Sequence, residues 1–222
     1  MRAPISVVIP TLNAAFELPE ALGRLALGLD VVREVIVSDG GSADATRRIA
    51  EDAGAEVIEG PPGRGGQLRR GAEAASGPWL LFLHADTHLP EGWEAAARAH
   101  MRGGRAGWFR LAFRAEGFGA RWTAGWANAR SRMGLPYGDQ GLLIPRDLYD
   151  AVGGFADVPL MEDVRMARAL RGRLAPISAT VTTSAARYER RGWARQGTRN
   201  LGLLARHLAG ASPDRLAERY RR

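Results

Sequence analysis

Trp79-Leu80-Leu81-Phe82-Leu83-His84-Ala85-Asp86-Thr87-His88 decides the fold. Its first half is a continuous apolar run behind a Gly77-Pro78 turn. A run that short and unbroken predicts a strand buried on both faces, as in a parallel sheet covered by helices. The run ends at Asp86, between two imidazoles. A carboxylate just past the C-terminal end of such a strand stands where open α/β sheets take their ligands. Taken alone, an aspartate there is more often simply the cap of the next helix, so the neighbouring segments must decide.

Upstream, residues 5–9 form a β-branched run stopped by Pro10, and residues 13–28 have helical spacing with Phe16, Leu18, Leu22, Leu25 and Leu29 apolar. Residues 34–38 predict a second strand ending in Asp39-Gly40-Gly41-Ser42. Ser42 or Asp44 can cap the helix that Gly54 closes, and residues 56–59 predict a third strand. This β-α-β-α-β order predicts a parallel sheet with crossover helices. A Gly/Pro loop (residues 60–66), a helix over 67–75 and the Trp79 strand follow. Downstream come a helix over 90–101, a strand over 108–114, a helix over 121–131 and a glycine-rich loop over 133–140. A short strand at 142–144 and a helix at 146–152 precede a loop and helix across 157–171. A strand over 175–183 and helices over 193–208 and 213–220 complete the pattern, with Ser212 as cap and Pro213 at the first helical position.

A chain of 222 residues can bury a sizeable core without staples. It has no cysteine, which excludes disulfides and thiolate metal sites. It has no lysine, which excludes a phosphate-loop lysine and Schiff-base chemistry. The first residues run straight into a strand pattern, and no apolar run approaches a membrane span. The expectation is a soluble cytoplasmic protein. Net charge is +7, and ten arginines from Arg187 onward face only Glu189, Asp214 and Glu218. A basic tail favours anionic partners, and Leu201, Leu203, Leu204 and Leu208 among those arginines predict weak peripheral contact with an acidic membrane face.

Asn13, Asp39 and Asp86 end successive predicted strands, so all three point to one edge of a parallel sheet. A nucleotide laid across that edge would meet Thr11 and Asn13, then Asp39, then Asp86. Arg64 lies among glycines before a helix start, where a phosphate can bind. Glu162-Asp163 pairs two carboxylates at a predicted helix start. The helix dipole favours acids there, and a buried pair also suits a general base. His84 and His88 flank Asp86 with no standard zinc spacing; oxygen ligands with a phosphate favour Mg2+ or Mn2+. Trp108 is core by type, or a stacking surface for an acceptor at the sheet edge. No Gly-x-Gly-x-x-Gly follows the first strand, which excludes the usual dinucleotide fingerprint.

In their order, these residues resemble glycosyltransferase family 2, whose fold is GT-A: an α/β, Rossmann-like, mostly parallel sheet flanked by helices. Val8-Ile9-Pro10-Thr11-Leu12-Asn13 looks like its first strand and nucleotide loop. The stretch from Val35 to Thr46, through Asp39-Gly40-Gly41-Ser42, looks like its second. Leu83-His84-Ala85-Asp86 takes the place of its Asp-x-Asp metal motif, and Gly153-Gly154-Phe155 with Glu162-Asp163 looks like its acceptor side. The resemblance implies an inverting, hexosyltransferase-like enzyme. Pro10, Thr11, Asn13, Asp39, Gly41, Arg64, Gln67 and Asp86 would hold a nucleotide-diphosphate sugar, a UDP-sugar first among them. Trp108, Asp139 and Gln140 would face the acceptor hydroxyl, and Asp163 would be the base, beside Glu162. Mn2+ or Mg2+ would sit at Asp86 with His84.

Leu83-His84-Ala85-Asp86-Thr87, Leu135-Pro136-Tyr137-Gly138-Asp139-Gln140 and Pro159-Leu160-Met161-Glu162-Asp163 further resemble a small bacterial subgroup labelled arsenosugar biosynthesis glycosyltransferases. Two features depart from the family. His84 stands where many relatives have the first Asp, and the Gln-x-x-Arg-Trp motif of processive synthases is missing. The expected plan is one domain over residues 1–222. Residues 1–100 form the donor half, residues 101–185 the acceptor half and residues 186–222 a basic helical tail. The alternatives are a nucleotidyltransferase on a similar fold, which would want a glycine-rich Arg/Lys loop after the first strand, and a non-catalytic anion- or nucleic-acid-binding protein. The latter would not need Asp86 and Asp163 together, and no nucleic-acid partner is expected.

Overall fold

The computed structural model describes residues 3–221. Its centre is a seven-stranded sheet in the order β3-β2-β1-β4-β6-β5-β7. The strands are β1 (Ile5–Thr11), β2 (Val32–Asp39), β3 (Glu56–Glu59), β4 (Trp79–Phe82), β5 (Ala106–Phe113), β6 (Leu142–Pro145) and β7 (Leu174–Thr183). Only β6 runs against its neighbours. The other strands therefore all end at one edge. This is the α/β architecture expected from the alternation of strands and helices, and it agrees with the GT-A type that the resemblance implied.

The helices are α1 (Leu18–Ala26), α2 (Thr46–Asp52), α3 (Arg64–Ala74), α4 (Trp93–Met101), α5 (Phe118–Arg132), α6 (Arg146–Ala151), α7 (Glu162–Ala169), α8 (Ala186–Arg191), α9 (Trp193–Leu208) and α10 (Pro213–Arg221). They cover both faces of the sheet. One core gathers Val7, Ile9, Leu81, Leu83, Trp93 and Phe109. The opposite one gathers Val8, Leu80, Phe82, Leu68, Tyr149 and Phe155. Alternate residues of β1 and β4 feed opposite cores, so both strands are buried on both sides, as the apolar run predicts. Gly71 lets α3 lie close on β1, since a Cβ there would stand 2.4 Å from Val8 Cγ1.

Several boundaries move for local reasons. The helix expected from Asn13 starts at Leu18, because Asn13 is left-handed (φ 51°) and its loop bonds across to residues 42–46. Phe16 is consequently outside the helix and 90% exposed. The helix after His88 starts at Trp93 rather than Pro90, behind a left-handed Gly92. α8 has no counterpart among the sequence-predicted elements. In the tail, Leu203 and Leu204 pack with Leu216 against Met161 and Val164. Only Leu201 and Leu208 of the four leucines expected on a lipid-facing surface are exposed. No described helix is long and apolar enough to cross a membrane.

Candidate active site

Thr11 and Asp39 are register partners at the ends of β1 and β2. Asp39 is fully buried. One carboxylate oxygen accepts the N–H groups of Gly41 and Ser42 at 2.9 and 2.7 Å. The other accepts the hydroxyls of Thr11 and Ser42 at 2.8 and 2.6 Å. Burial alone would raise its pKa; the bonds from Ser42, Thr11 and Gly41 outweigh that and hold it below the usual carboxylate value. Asp39 therefore braces the loop that would hold a nucleoside, and its four acceptor positions are taken within the protein. Asn13 Oδ1 accepts the Ala43 N–H at 2.9 Å, which ties the first two strand-end loops together. Gly41 is exposed with φ 90° and open space beside it. Pro10 lies in β1 just before this loop.

The first turn of α3 joins this half to the other. Gln67 Nε2 donates to the carbonyls of Thr11 and Ser38 at 2.7 and 2.8 Å, and its Oε1 accepts the Gly63 N–H. It is a buried clamp on two strand ends. One turn earlier, Arg64 places Nη1 3.4 Å from Glu162 Oε1. Gly65 lets that turn meet the segment after Gly153-Gly154-Phe155, since a Cβ there would lie 2.1 Å from the Ala156 carbonyl.

Past β4 the chain turns at His84 and Asp86. Burial raises the pKa of Asp86, as does Glu17, while Arg64 and Arg114 lower it. Arg114 donates to the Asp86 carbonyl at 2.7 Å and to Glu17 Oε2 at 2.5 Å. His84 packs on Gly138, whose Cβ, if present, would lie 2.6 Å from its Nε2. Burial first, then Arg64 and Arg187, push its pKa well below the usual imidazole value. Among the described residues no three His, Cys, Asp or Glu side chains cluster closely enough to ligate a metal. His84 and Asp86 therefore belong to no three-ligand cluster among the described residues.

From the other side come the 3-10 turn Gly138–Gln140 and the start of α7. Asp163 Oδ2 accepts the Gly138 N–H at 3.0 Å. Glu162 is 2% exposed, and burial, then Asp163, raise its pKa well above the usual value. Asp139 is pushed up to about 6 by burial, with Asp163 and Asp86 adding to the shift and Arg130 and Arg64 opposing it. Its Oδ1 is buried without a hydrogen-bond partner. Met161, which precedes Glu162, is left-handed (φ 68°). Met161 and Asn13 are the only non-glycine residues at positive φ among those described, and both flank the site.

Two expected acceptor contacts are not presented to a ligand. Trp108 is 2% exposed in β5, between β6 and β7, so it has no free face for stacking. Gln140 is fully buried: its Nε2 donates to the Phe109 carbonyl at 3.1 Å and its Oε1 accepts the Ser131 hydroxyl. It shapes the turn that carries Asp139. Sequence reasoning assigned Arg187 to the tail, yet its charge acts on His84, and Arg64 and Asp86 act on it. Since β7 is parallel to β5, the residues just past Thr183 emerge at the same edge as Asp86. A cavity of about 980 Å³ lies at the opposite edge, by Trp79, Arg105 and Arg173, away from this chemistry.

One edge thus carries a loop braced by Asp39, a carboxylate past the central strand, an arginine at a helix N-terminus and a carboxylate pair of which Glu162 is buried and Asp163 half-buried. The family model of "Glycosyl transferase family 2" matches residues 6–156. The chain belongs to that family. A "PGL/p-HBAD biosynthesis glycosyltransferase" of Mycobacterium bovis is 39% identical over 99 residues, covering 41% of this chain and 39% of the relative. An "Uncharacterized glycosyltransferase" of Mycobacterium tuberculosis is 33% identical over 89 residues, covering 40% and 39%. The chain thus spans about two-fifths of the length of the curated relatives it matches. These family 2 relatives carry names of mycobacterial glycosyltransferases, without reference to arsenosugars. Among solved structures, S. aureus TarS (residues 1–349) superposes with TM-score 0.66 at 20% identity, covering 83% of this chain and 61% of that one. Glucosyl-3-phosphoglycerate synthase from Mycobacterium tuberculosis, in complex with Mn2+, UDP and glucosyl-3-phosphoglycerate, gives 0.58 at 22%, covering 82% and 70%. At these identities the likeness is one of fold.

Proposed function

We propose that this chain transfers a sugar from a nucleotide-diphosphate sugar to an acceptor hydroxyl, with inversion at the anomeric carbon. The observation that carries the reading is the convergence of Asp86, Arg64 and the Glu162-Asp163 pair at the edge where β1 and β2 end. The structural neighbours with UDP and with UDP-GlcNAc support a UDP-sugar donor. Gly41 and the Thr11/Asn13 loop, held by Asp39 and Gln67, would frame the nucleoside. Arg64, joined by Arg187, would face the diphosphate. A divalent cation, Mn2+ or Mg2+, would bind Asp86 together with diphosphate oxygens and neutralise charge on the leaving group.

In the transfer, Asp163 takes the proton of the acceptor hydroxyl. The acceptor oxygen forms its bond to the anomeric carbon as the bond from that carbon to the phosphate oxygen breaks, and nucleoside diphosphate leaves with the electron pair. Burial, then Asp163, raise the pKa of Glu162, so it holds a proton more readily than an ordinary glutamate and limits the negative charge beside the base. The arginine surplus after Arg187 supports peripheral contact with an anionic membrane surface on the cytoplasmic side. Likeness to the subgroup labelled arsenosugar biosynthesis glycosyltransferases is a proposal of kinship alone, carried by the Leu135–Gln140 and Pro159–Asp163 stretches.

Thermal-shift screening of nucleotide sugars with and without Mn2+ tests the donor half, since a bound ligand raises apparent stability. The expected result is stabilisation by one UDP-sugar, larger with metal. No shift with any nucleotide sugar under either condition would refute the reading.

A further inference from the structure

Helix α5 is amphipathic in an inverted sense. Its inner face is built of small residues, Ala120, Ala124, Ala127 and Ser131, buried on the sheet. Its outer face carries the large apolar ones: Phe118, Trp122 and Trp126 are 73, 69 and 50% exposed, and Met133 just past the helix is 68% exposed. Phe118, Trp122 and Trp126 recur every four residues, so they stack along one line of the helix. The rings of Phe118 and Trp122 lie stacked at 5.9 Å. From Phe118 to Met133 the stripe runs roughly 22 Å at 1.5 Å per residue.

The charge around the stripe is mainly positive. α5 exposes Arg121 and Arg132 and contains no acid, while Arg130 is buried; the exposed Glu116 and Glu189 are the acids nearby in sequence. Gly119 packs on Trp193 at the start of α9, which brings the exposed Arg190, Arg191 and Arg195 to the same end. Tryptophan and phenylalanine suit the boundary between headgroups and acyl chains, and arginines beside them are drawn to anionic lipid. A second copy of this chain would instead set +7 against +7. The stripe also ends next to the site: Met133 leads into the stretch that carries Asp139, and Arg130 fixes that stretch by stacking 3.2 Å over Tyr137 and donating to the Leu135 carbonyl.

We propose that the aromatic stripe of α5 is the surface that docks this protein on an anionic lipid bilayer, holding the candidate site beside the headgroups. This rests on the peripheral contact inferred above and names the residues that make it. It requires no sugar transfer.

The test is co-sedimentation of the full chain with vesicles of phosphatidylcholine alone or mixed with phosphatidylglycerol, without donor. The wild type is expected to bind the anionic vesicles at least about tenfold better than the neutral ones, with a blue shift of tryptophan emission on binding. Trp122→Ser/Trp126→Ser should lose that binding and the shift while keeping the wild-type circular dichroism melt. Arg190→Gln/Arg191→Gln/Arg195→Gln should weaken it by about fivefold per arginine that reaches the surface. Anionic binding that survives the tryptophan substitutions would overturn the proposal while leaving peripheral contact standing. Absence of binding to both vesicles would overturn both. A concentration-dependent dimer abolished by the same substitutions, or displacement from vesicles by single-stranded RNA bound through the stripe, would assign it to another partner and also overturn it. Vesicle binding without sugar transfer would sink the proposed reaction alone.

Discussion

Asp163 accepts the Gly138 backbone N–H at 3.0 Å, and so ties the start of α7 to the turn that carries Asp139. One oxygen of the carboxylate is thereby oriented. The other accepts the Val164 N–H at 2.7 Å, at the first turn of the helix. An amide in place of the carboxylate can still accept from Gly138, so Asp163→Asn separates the proton-accepting role from the structural one. The expected result is a fall in turnover of on the order of 10²–10⁴ with donor affinity nearly unchanged. Steady-state kinetics with separate donor titration checks it, and near-normal turnover would remove Asp163 from the role of base.

The titration of Asp139 gives a second expectation. Burial, with Asp163 and Asp86 nearby, lifts its pKa from 3.8 to about 6. Between those values the native state holds a proton that the unfolded state has released. Stability therefore falls as pH rises through that window and stays lower above it. The loss is about 3 kcal/mol at most, at ~1.4 kcal/mol per unit. Glu162, also raised, acts in the same direction. Asp39 and Glu34, both lowered, act in the opposite direction at more acid pH. The difference between wild type and Asp139→Asn isolates the effect: the variant should gain relative stability from pH 4 to pH 7. Parallel melting curves across that range would contradict it.

Gln67 closes three backbone groups with one amide: the carbonyls of Thr11 and Ser38 and the N–H of Gly63. Gln67→Leu keeps the approximate volume and orphans all three. At about 1–3 kcal/mol per buried unsatisfied group, partly relieved by water, a loss on the order of 2–5 kcal/mol is expected. Nucleotide affinity should fall with it, because the same clamp holds the ends of β1 and β2 in register. Urea midpoints and calorimetry measure the two effects. A variant as stable as the wild type would show that the clamp is dispensable.

Residues whose chemistry follows from strand ends were legible in the sequence. The unbroken run at residues 79–83 is too short for most helices and reads as a strand buried on both sides, and parallel crossovers then put Thr11, Asp39 and Asp86 at one edge. Arg64 stood out because glycines mark a helix start, although α3 begins at Arg64 itself rather than at Gln67. What escaped depended on who faces whom. Trp108 reads as a strand residue either way; the order β6-β5-β7 shows that its strand is not an edge, and its 2% exposure shows that the ring is covered. Asp39 and Gln67 are also internal braces, which only their partners show: for Gln67 these are backbone atoms, and for Asp39 two backbone N–H groups and the hydroxyls of Thr11 and Ser42. Arg187 was read as one of ten tail arginines, although the strand before it is parallel and delivers it to the site. The α5 stripe was missed because aromatic residues at helical spacing ordinarily point inward, whereas here alanines take the inner face.

The proposed metal dependence is tested at Asp86. Asp86 stands past the central strand as a lone carboxylate, its pKa raised by burial and by Glu17. No third protein ligand completes a site with it and His84 among the described residues. One carboxylate, two diphosphate oxygens and water can satisfy Mg2+ or Mn2+, which keep several waters and share ligands with phosphate. Metal alone should therefore bind poorly, and metal and nucleotide diphosphate should each strengthen the other's binding by the same factor. Asp86→Ala should abolish that coupling. His84→Ala should change it less, because the imidazole is engaged in packing on Gly138. Calorimetric titration of UDP, with Mn2+ and with chelator, measures the coupling directly. Equal affinities in the two conditions would mean that the diphosphate is held by guanidinium groups such as Arg64 and Arg187, and that Asp86 has no metal to bind.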